Sequence, residues 1–263
     1  MDLELRDKVA LVSGSTAGIG HAIAAALARE GARVIVNGRT AEAVDAAVAA
    51  IRASTGGTLM GFAGDLSAVS SAEELIRRYP AVDILVNNLG IYEVKPFEEI
   101  SDADWRRIFE VNVFSGARLA RLYLPHMRGR RWGRIIFISS ESGYQIPPEM
   151  IHYGVTKAAQ IAVSRGLAEI TAGSGITVNT VLPGPTRSRG VEEFVSQMAA
   201  ASGKTPQAVE KEFFETARPT SLIKRFATPE EVASLVAYVA SPLASATTGA
   251  ALRVDGGVVK GAF

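Results

Sequence analysis

Ser13-Gly-Ser-Thr-Ala-Gly-Ile-Gly20 follows the apolar run Lys8-Val-Ala-Leu-Val12 and leads into Ile19 to Glu30, whose apolar residues fall at Ile19, Ile23, Ala26 and Leu27. The first run has the character of a strand and the second the spacing of a helix. Gly14, Gly18 and Gly20 stand between them. There the missing side chains let the backbone turn tightly and let a pyrophosphate approach the free N–H groups at the positive end of the helix dipole. Such a glycine spacing is a weak signal on its own and takes its weight from its context.

Strand-like runs recur at Val9 to Ser13, Arg33 to Val36, Leu59 to Ala63, Ile84 to Val86, Arg134 to Ile138, Thr177 to Val181 and Ala250 to Val254, with helical stretches between them. Alternation of this kind predicts an α/β fold, a doubly wound parallel sheet of the Rossmann type. No linker, repeat or low-complexity block interrupts residues 1–263, so a single dinucleotide-binding domain is expected, with 48% hydrophobic residues to fill one core.

The charge balance, 28 Lys plus Arg against 27 Asp plus Glu, gives +1 and no global field for nucleic acid or an anionic membrane. Arg128-Gly-Arg-Arg131 reads as cations closing a helix. No apolar signal core or run of about 18 apolar residues is present, and a cytoplasmic enzyme of small molecules is expected. There is no cysteine for disulfide or thiol chemistry, and His21, His126 and His152 are too scattered to suggest a metal site.

Tyr153 and Lys157 are four residues apart after Met150, so a helix there brings phenol and ammonium to one face. A neighbouring cation favours phenolate and draws tyrosine, which otherwise titrates near about 10, toward a pH where it exchanges a proton. Ser140 precedes this pair at the end of an apolar run. Each residue also has a purely structural reading: a packed ring beside a solvated cation, a serine ending a strand, and, at Asn112, an amide satisfying a neighbouring carbonyl.

In order and over nearly the whole chain, the Gly14-x3-Gly18-x-Gly20 turn, Asp65 in Gly-Asp-Leu66, Asn87-Asn-Leu-Gly90, Asn112, Ser140, Tyr153-x3-Lys157 and Pro183-Gly-Pro-Thr186 resemble the short-chain dehydrogenase/reductase family. Leu89 is bulkier than the family's usual alanine, and Ser188 stands where threonine is commoner. Neither change removes a functional group. The resemblance implies hydride exchange between a nicotinamide cofactor and a carbonyl or alcohol. Tyr153 would donate the proton and Ser140 would bond the same oxygen. Lys157 would lower the tyrosine pKa and bind the nicotinamide ribose, and Asn112 would hold a water linking Lys157 to solvent. Cofactor contacts are implied for Gly14, Ser15, Thr16, Gly18, Ile19, Gly20, Asp65, Leu66, Asn88, Gly90, Tyr153, Lys157, Pro183, Gly184 and Thr186. A homotetramer is implied too, pairing the helices near 102–127 and 152–172 through Ala117, Ala120, Ala158, Ala159 and Ala162. A non-catalytic dinucleotide-binding protein is the alternative from another class, and an epimerase or dehydratase of the related extended group would carry a longer C-terminal domain.

After the second strand the chain reads Val36-Asn-Gly-Arg-Thr40. Gly38 stands where NAD-dependent relatives usually place aspartate, and Arg39 can meet a 2′-phosphate, with Asn37 and Thr40 as further donors. NADP(H) is therefore the expected cofactor, with NAD(H) second. Residues 185–219 are the expected substrate loop, in which Phe194, Met198, Phe213 and Phe214 form either an apolar lid or ordinary core-covering helices. Gln145, Glu149 and His152 are candidates for pocket polarity. In general pattern the chain is similar to 3-oxoacyl-(acyl carrier protein) reductases. Of the two arginines those enzymes offer a carrier protein, Arg131 matches one and Ser174 replaces the other. With Glu141 directly after Ser140, a small or medium carbonyl compound is expected in place of a carrier-bound chain.

Overall fold

A computed structural model describes residues 2–262, apart from the side chains at positions 189, 190, 193 and 194. The strands are β1 (Val9–Val12), β2 (Arg33–Gly38), β3 (Thr58–Ala63), β4 (Ile84–Asn87), β5 (Gly133–Ile138), β6 (Ile176–Pro183) and β7 (Ala251–Val254). They make one sheet in the order β3-β2-β1-β4-β5-β6-β7, and every neighbouring pair is parallel. Parallel neighbours need a crossover, and helices supply it: α1 (Gly18–Arg29), α2 (Ala41–Thr55), α3 (Val69–Arg78), α4 (Asp102–Phe109), α5 (Ser115–Arg130), α6 (Ile151–Ile170), α7 (Arg189–Ser202), α8 (Pro206–Thr216) and α9 (Pro229–Ala240).

Side chains along a strand alternate between faces, and the two halves of the core follow. Ala10, Val12, Val34, Val36, Ile84, Val86, Ile136 and Ile138 point to the layer containing Ile23 and Leu27 of α1, Ile51 of α2 and Val232 and Val236 of α9. Leu11, Ile35, Leu85, Ile135 and Phe137 point to the layer of Leu75 of α3, Leu119 and Tyr123 of α5 and Ala168 of α6. Nearly all of these are fully buried, each contributing roughly 1.5–3 kcal/mol of transfer free energy. The strands read as near-continuous apolar runs because both faces are covered.

Strand order reverses between β1 and β4, and the crevice outside their carboxyl ends is where such sheets bind ligands. Helix starts differ in how they are capped. The Thr40 hydroxyl accepts from Ala43 N at the head of α2, and Thr228 and Glu231 form a reciprocal cap on α9. At α1 the position before the helix is Ala17, which caps nothing, and no acidic residue occupies the first turn. The free N–H groups of α1 therefore remain available to an anion.

Gly14 and Gly18 have φ of +60° and +56°, a conformation that disfavours a side chain. Gly20 is needed for a different reason: a Cβ there would meet the Gly14 carbonyl oxygen at 2.4 Å, Asn88 Nδ2 at 2.5 Å and Ser15 Cα at 2.9 Å. Alanine in a helix ordinarily gains about 1 kcal/mol over glycine. Here the clash is with backbone, so Gly20→Ala is expected to lower stability by about 1–3 kcal/mol. It should also abolish dinucleotide binding. Denaturant unfolding and a cofactor titration check both.

Candidate active site

The crevice beyond β1, β2 and β4 has a volume of about 330 Å³ and is lined by Gly14, Thr16, Gly38, Arg39, Asp65, Leu66 and Gly90 among others. Its floor is a network at the strand ends. Ser13 Oγ accepts from Asn88 N and Leu89 N, both at 3.0 Å. Asn88 Nδ2 donates to the carbonyls of Ser13 at 3.0 Å and Gly14 at 2.9 Å. The side chain of Asn88 thus ties β4 to the glycine turn. Ser15 is wholly buried, with its hydroxyl donating to Val12 O and accepting from Asn37 N.

Asn37 lies inside this network. Its Oδ1 accepts from Gly14 N at 3.0 Å, and its Nδ2 donates to Phe62 O and Gly64 O. The amide is spent on the turn, and the Thr40 hydroxyl oxygen accepts from the head of α2. Arg39, exposed just after β2, lines the crevice, whereas Thr40 does not. A Cβ on Gly38 would lie 2.4 Å from Thr16 Cγ2, so this strand end holds no side chain unless Thr16 moves. Asp65 accepts from Ser67 N and Oγ, and these bonds, aided by the Arg39 charge, hold its carboxyl below the usual range. Across the crevice, Gly184 lies tight against Asp255, the Thr186 hydroxyl donates to Gly184 O, and Ile19 is partly buried in the first turn of α1.

Ser140 follows β5 by two residues and caps the short 3₁₀ turn 141–143, while Tyr153 and Lys157 sit one turn apart on α6. Close packing joins them: Ser139 Oγ donates to Lys157 O at 2.8 Å, and a Cβ on Gly143 would lie 2.9 Å from Lys157 C. Lys157 is buried, with Nζ donating to Ile138 O at 3.0 Å and standing 5.5 Å from the Tyr153 ring centroid. A Cβ on Gly90 would come within 3.4 Å of that ammonium. Glycine there keeps the approach to Lys157 open from the crevice.

Asn112 lies in a π-helical turn, Glu110–Phe114, between α4 and α5. Such a turn breaks the regular helix ladder. Its side chain accepts from Ile91 N at 2.8 Å and donates to Ile91 O at 2.9 Å and Thr156 Oγ1 at 3.0 Å. Its carbonyl accepts from Gln160 Nε2 at 2.6 Å. Asn112 thereby clamps the loop carrying Gly90 to the helix carrying Lys157. Thr156 and Gln160 complete this clamp without any local sequence signal.

From the spacing, Lys157 was expected to draw the Tyr153 proton off more easily. In the folded chain, burial and then the Glu141 charge push the Tyr153 phenol above its ordinary value, against the Ser140 hydrogen bond. Burial pushes Lys157 down to about 8, with Glu141 acting against it. Desolvation is thus the leading cause at both groups.

Glu141 is buried beside Ser140, which donates to its Oε2 at 2.5 Å, while Arg218 Nε donates to its Oε1 at 3.2 Å. Arg218 also stands 3.6 Å from Glu149. These three, with Gln145 and Ile146, line a cleft of about 610 Å³. Arg218 has no motif of its own, and the sequence offered no means of finding it. His152 is buried with its ring 6.0 Å from Trp105, edge to face. Phe213 and Phe214 form a small core with Phe226, centroids 5.0–5.1 Å apart, which fixes α7 and α8 together. Met198 is exposed, and the side chain of Phe194 lies outside the described residues. Among the described residues, no cluster of acidic or histidine side chains could hold a metal.

A family profile described as enoyl-(acyl carrier protein) reductase matches residues 14–259. The chain is 47% identical over its whole length, and the relative's, to the uncharacterized oxidoreductase YvaG of Bacillus subtilis (strain 168). It is 34% identical to the 3-oxoacyl-[acyl-carrier-protein] reductase FabG of Aquifex aeolicus (strain VF5), covering 98% of this chain and 100% of that one. L-sorbose reductase from Gluconobacter frateurii, solved with NADPH and L-sorbose, superposes with a TM-score of 0.94 at 30% identity, covering 99% of this chain and all of that one. The chain belongs to the short-chain dehydrogenase/reductase family and is an oxidoreductase acting on alcohol and carbonyl groups.

Proposed function

We propose that the protein is a cytoplasmic, NADP(H)-linked reductase of small or medium carbonyl compounds, and that Ser140, Tyr153 and Lys157 do the chemistry. The observation that carries this reading is the convergence of these three groups at the carboxyl end of β5, beside a crevice built to admit a dinucleotide. The uncapped start of α1, the gap at Gly20 and the open approach at Gly90 suit a pyrophosphate and a nicotinamide ribose. A bound nicotinamide dinucleotide supplies the hydride. Tyr153 gives its proton to the carbonyl oxygen, on which charge develops only as the transition state forms. Ser140 shares that oxygen, and the Lys157 cation lowers the cost of leaving phenolate behind.

The preference for NADP(H) rests on a strand end with no carboxylate and on exposed Arg39, a bidentate donor suited to phosphate. NADPH in the sorbose reductase complex agrees with it. Carrier-bound chains are disfavoured because Arg131 caps the far end of α5, two residues before β5 begins. Within one chain it lies at the opposite end of β5 from Ser140. A homotetramer through α5 and α6 remains our reading of assembly. Ala162 is exposed on α6, while Ala120 is fully buried in the subunit's own core and can take no part in such a contact.

Three outcomes follow from this reading. Tyr153→Phe should keep cofactor affinity and lower turnover by about 10² to 10⁴, the usual worth of a positioned acid; steady-state rates with a chemistry-limited substrate decide it. For pH, Lys157 with a pKa lowered to about 8 is charged below that value and neutral above it, whereas Tyr153, with its pKa raised, keeps its proton. kcat/KM for reduction should therefore fall as pH rises past about 8. A limb displaced to the ordinary lysine value would contradict the assignment. Finally, Arg39→Ala should raise KM for NADPH by about tenfold or more and leave KM for NADH nearly unchanged, since a hydrogen bond to a charged group is lost with one cofactor only.

A further inference from the structure

Ser140 has one hydroxyl proton, and in this structure it goes to Glu141 Oε2 at 2.5 Å. Ser140 Oγ in turn accepts from Ser142 N at 3.1 Å. A serine so engaged cannot donate to a substrate carbonyl unless its O–H swings away from Glu141. Glu141 would then lose a donor at a position where its side chain is only 6% exposed and water has little access, an expensive outcome for a buried acceptor. Its other oxygen is already held by Arg218 Nε at 3.2 Å.

We infer that the substrate itself replaces the lost donor: it is a neutral carbonyl compound with a hydroxyl on the carbon next to the carbonyl, and Glu141 is the specificity-determining residue that accepts from that hydroxyl. This rests on the carbonyl-reductase reading above. As the carbonyl oxygen takes the Ser140 hydrogen bond, the adjacent hydroxyl stands one oxygen–oxygen spacing away and donates to Oε2. Ser140 is thereby released for the reacting oxygen, and Glu141 stays satisfied. A simple ketone offers no such donor. A 2-oxo acid puts a carboxylate at the same place, where it meets Glu141 and, beyond it, Glu149, with the one nearby guanidinium, Arg218, already shared between them. The cations near Tyr153 and Glu141 are Lys157 from α6, which gives one N–H to Ile138 O, and Arg218 after α8, which is already paired with Glu141 and stands near Glu149.

Three compounds of similar size separate these cases: 1-hydroxybutan-2-one, pentan-3-one and 2-oxobutanoate. The wild-type protein should reduce the hydroxyketone with kcat/KM at least about tenfold above that for pentan-3-one, the ordinary worth of a hydrogen bond to a charged group. 2-Oxobutanoate should be the poorest of the three. Glu141→Gln presents one acceptor where two are needed, so the ratio of hydroxyketone to pentan-3-one should fall to within about threefold of unity. A purely structural role for Glu141 would lower both rates and leave the ratio intact. Calorimetric titration of the two ketones into the protein loaded with NADP⁺ reads the same preference without turnover. Equal binding and equal kcat/KM for the two ketones in the wild type overturn the inference, as does a preference that survives Glu141→Gln. The wild-type comparison decides even where the variant fails to fold. Retained binding preference with no reduction of any carbonyl would overturn the reductase reading and leave the hydroxyl-accepting site standing.

Discussion

A carbon atom placed on Gly20 would lie 2.4 Å from the Gly14 carbonyl oxygen, and the geometry at the mouth of the sheet depends on keeping that space empty. With it empty, α1 begins directly over the end of β1, and Asn88 can reach the Ser13 and Gly14 carbonyls at 3.0 and 2.9 Å. Asn37 closes the same turn from the β2 side. Three strand ends are therefore fixed to one another by hydrogen bonds inside a packed core. The N–H groups at the start of α1, which opens on this crevice, have no side-chain cap. Backbone donors without an intrachain partner turn to solvent or to a ligand, and those of α1 open beside Gly14, Thr16 and Ala17 at the crevice.

The reacting side chains are held by a different device, close backbone packing. The turn after β5 lies against α6 near Gly143 and Gly154, where any side chain would strike α6 backbone or Ile146, and the Ser139 hydroxyl reaches the Lys157 carbonyl. Ser140 is thus fixed relative to Tyr153 and Lys157 by elements that cannot move apart without opening the core. Their electrostatics follow from the same packing. Removing water from both groups pushes the phenol up and the ammonium down, because burial penalises whichever form carries charge. Glu141, brought in by the same turn, raises both.

Outside the sheet, Phe213, Phe214 and Phe226 make a separate aromatic core that holds α7 and α8 together. This unit carries Arg218 to the rim of the cleft opposite Glu141 and Glu149. The substrate side is therefore a polar wall supported by an apolar cluster, and the two aromatics that resembled a lid in the sequence are the support.

The amino-acid sequence by itself determined the architecture and the chemical core of the site. Alternating apolar runs such as Leu11 and Val12 or Ile135 and Ile136 encode which face each residue meets, and the four-residue step from Tyr153 to Lys157 encodes a shared helix face. Both are local periodicities, readable without knowing what lies across the fold. Only the tertiary structure decided that Asn37 is a buried brace of the glycine turn, that Asn112 clamps Ile91 to Thr156, and that Arg218 faces Glu141 from 77 residues away. It also set the direction at Tyr153, where burial and the Glu141 charge raise the phenol above its ordinary value. These depend on contacts between distant segments and on the exclusion of water by the assembled core, and neither leaves a periodic trace along the chain.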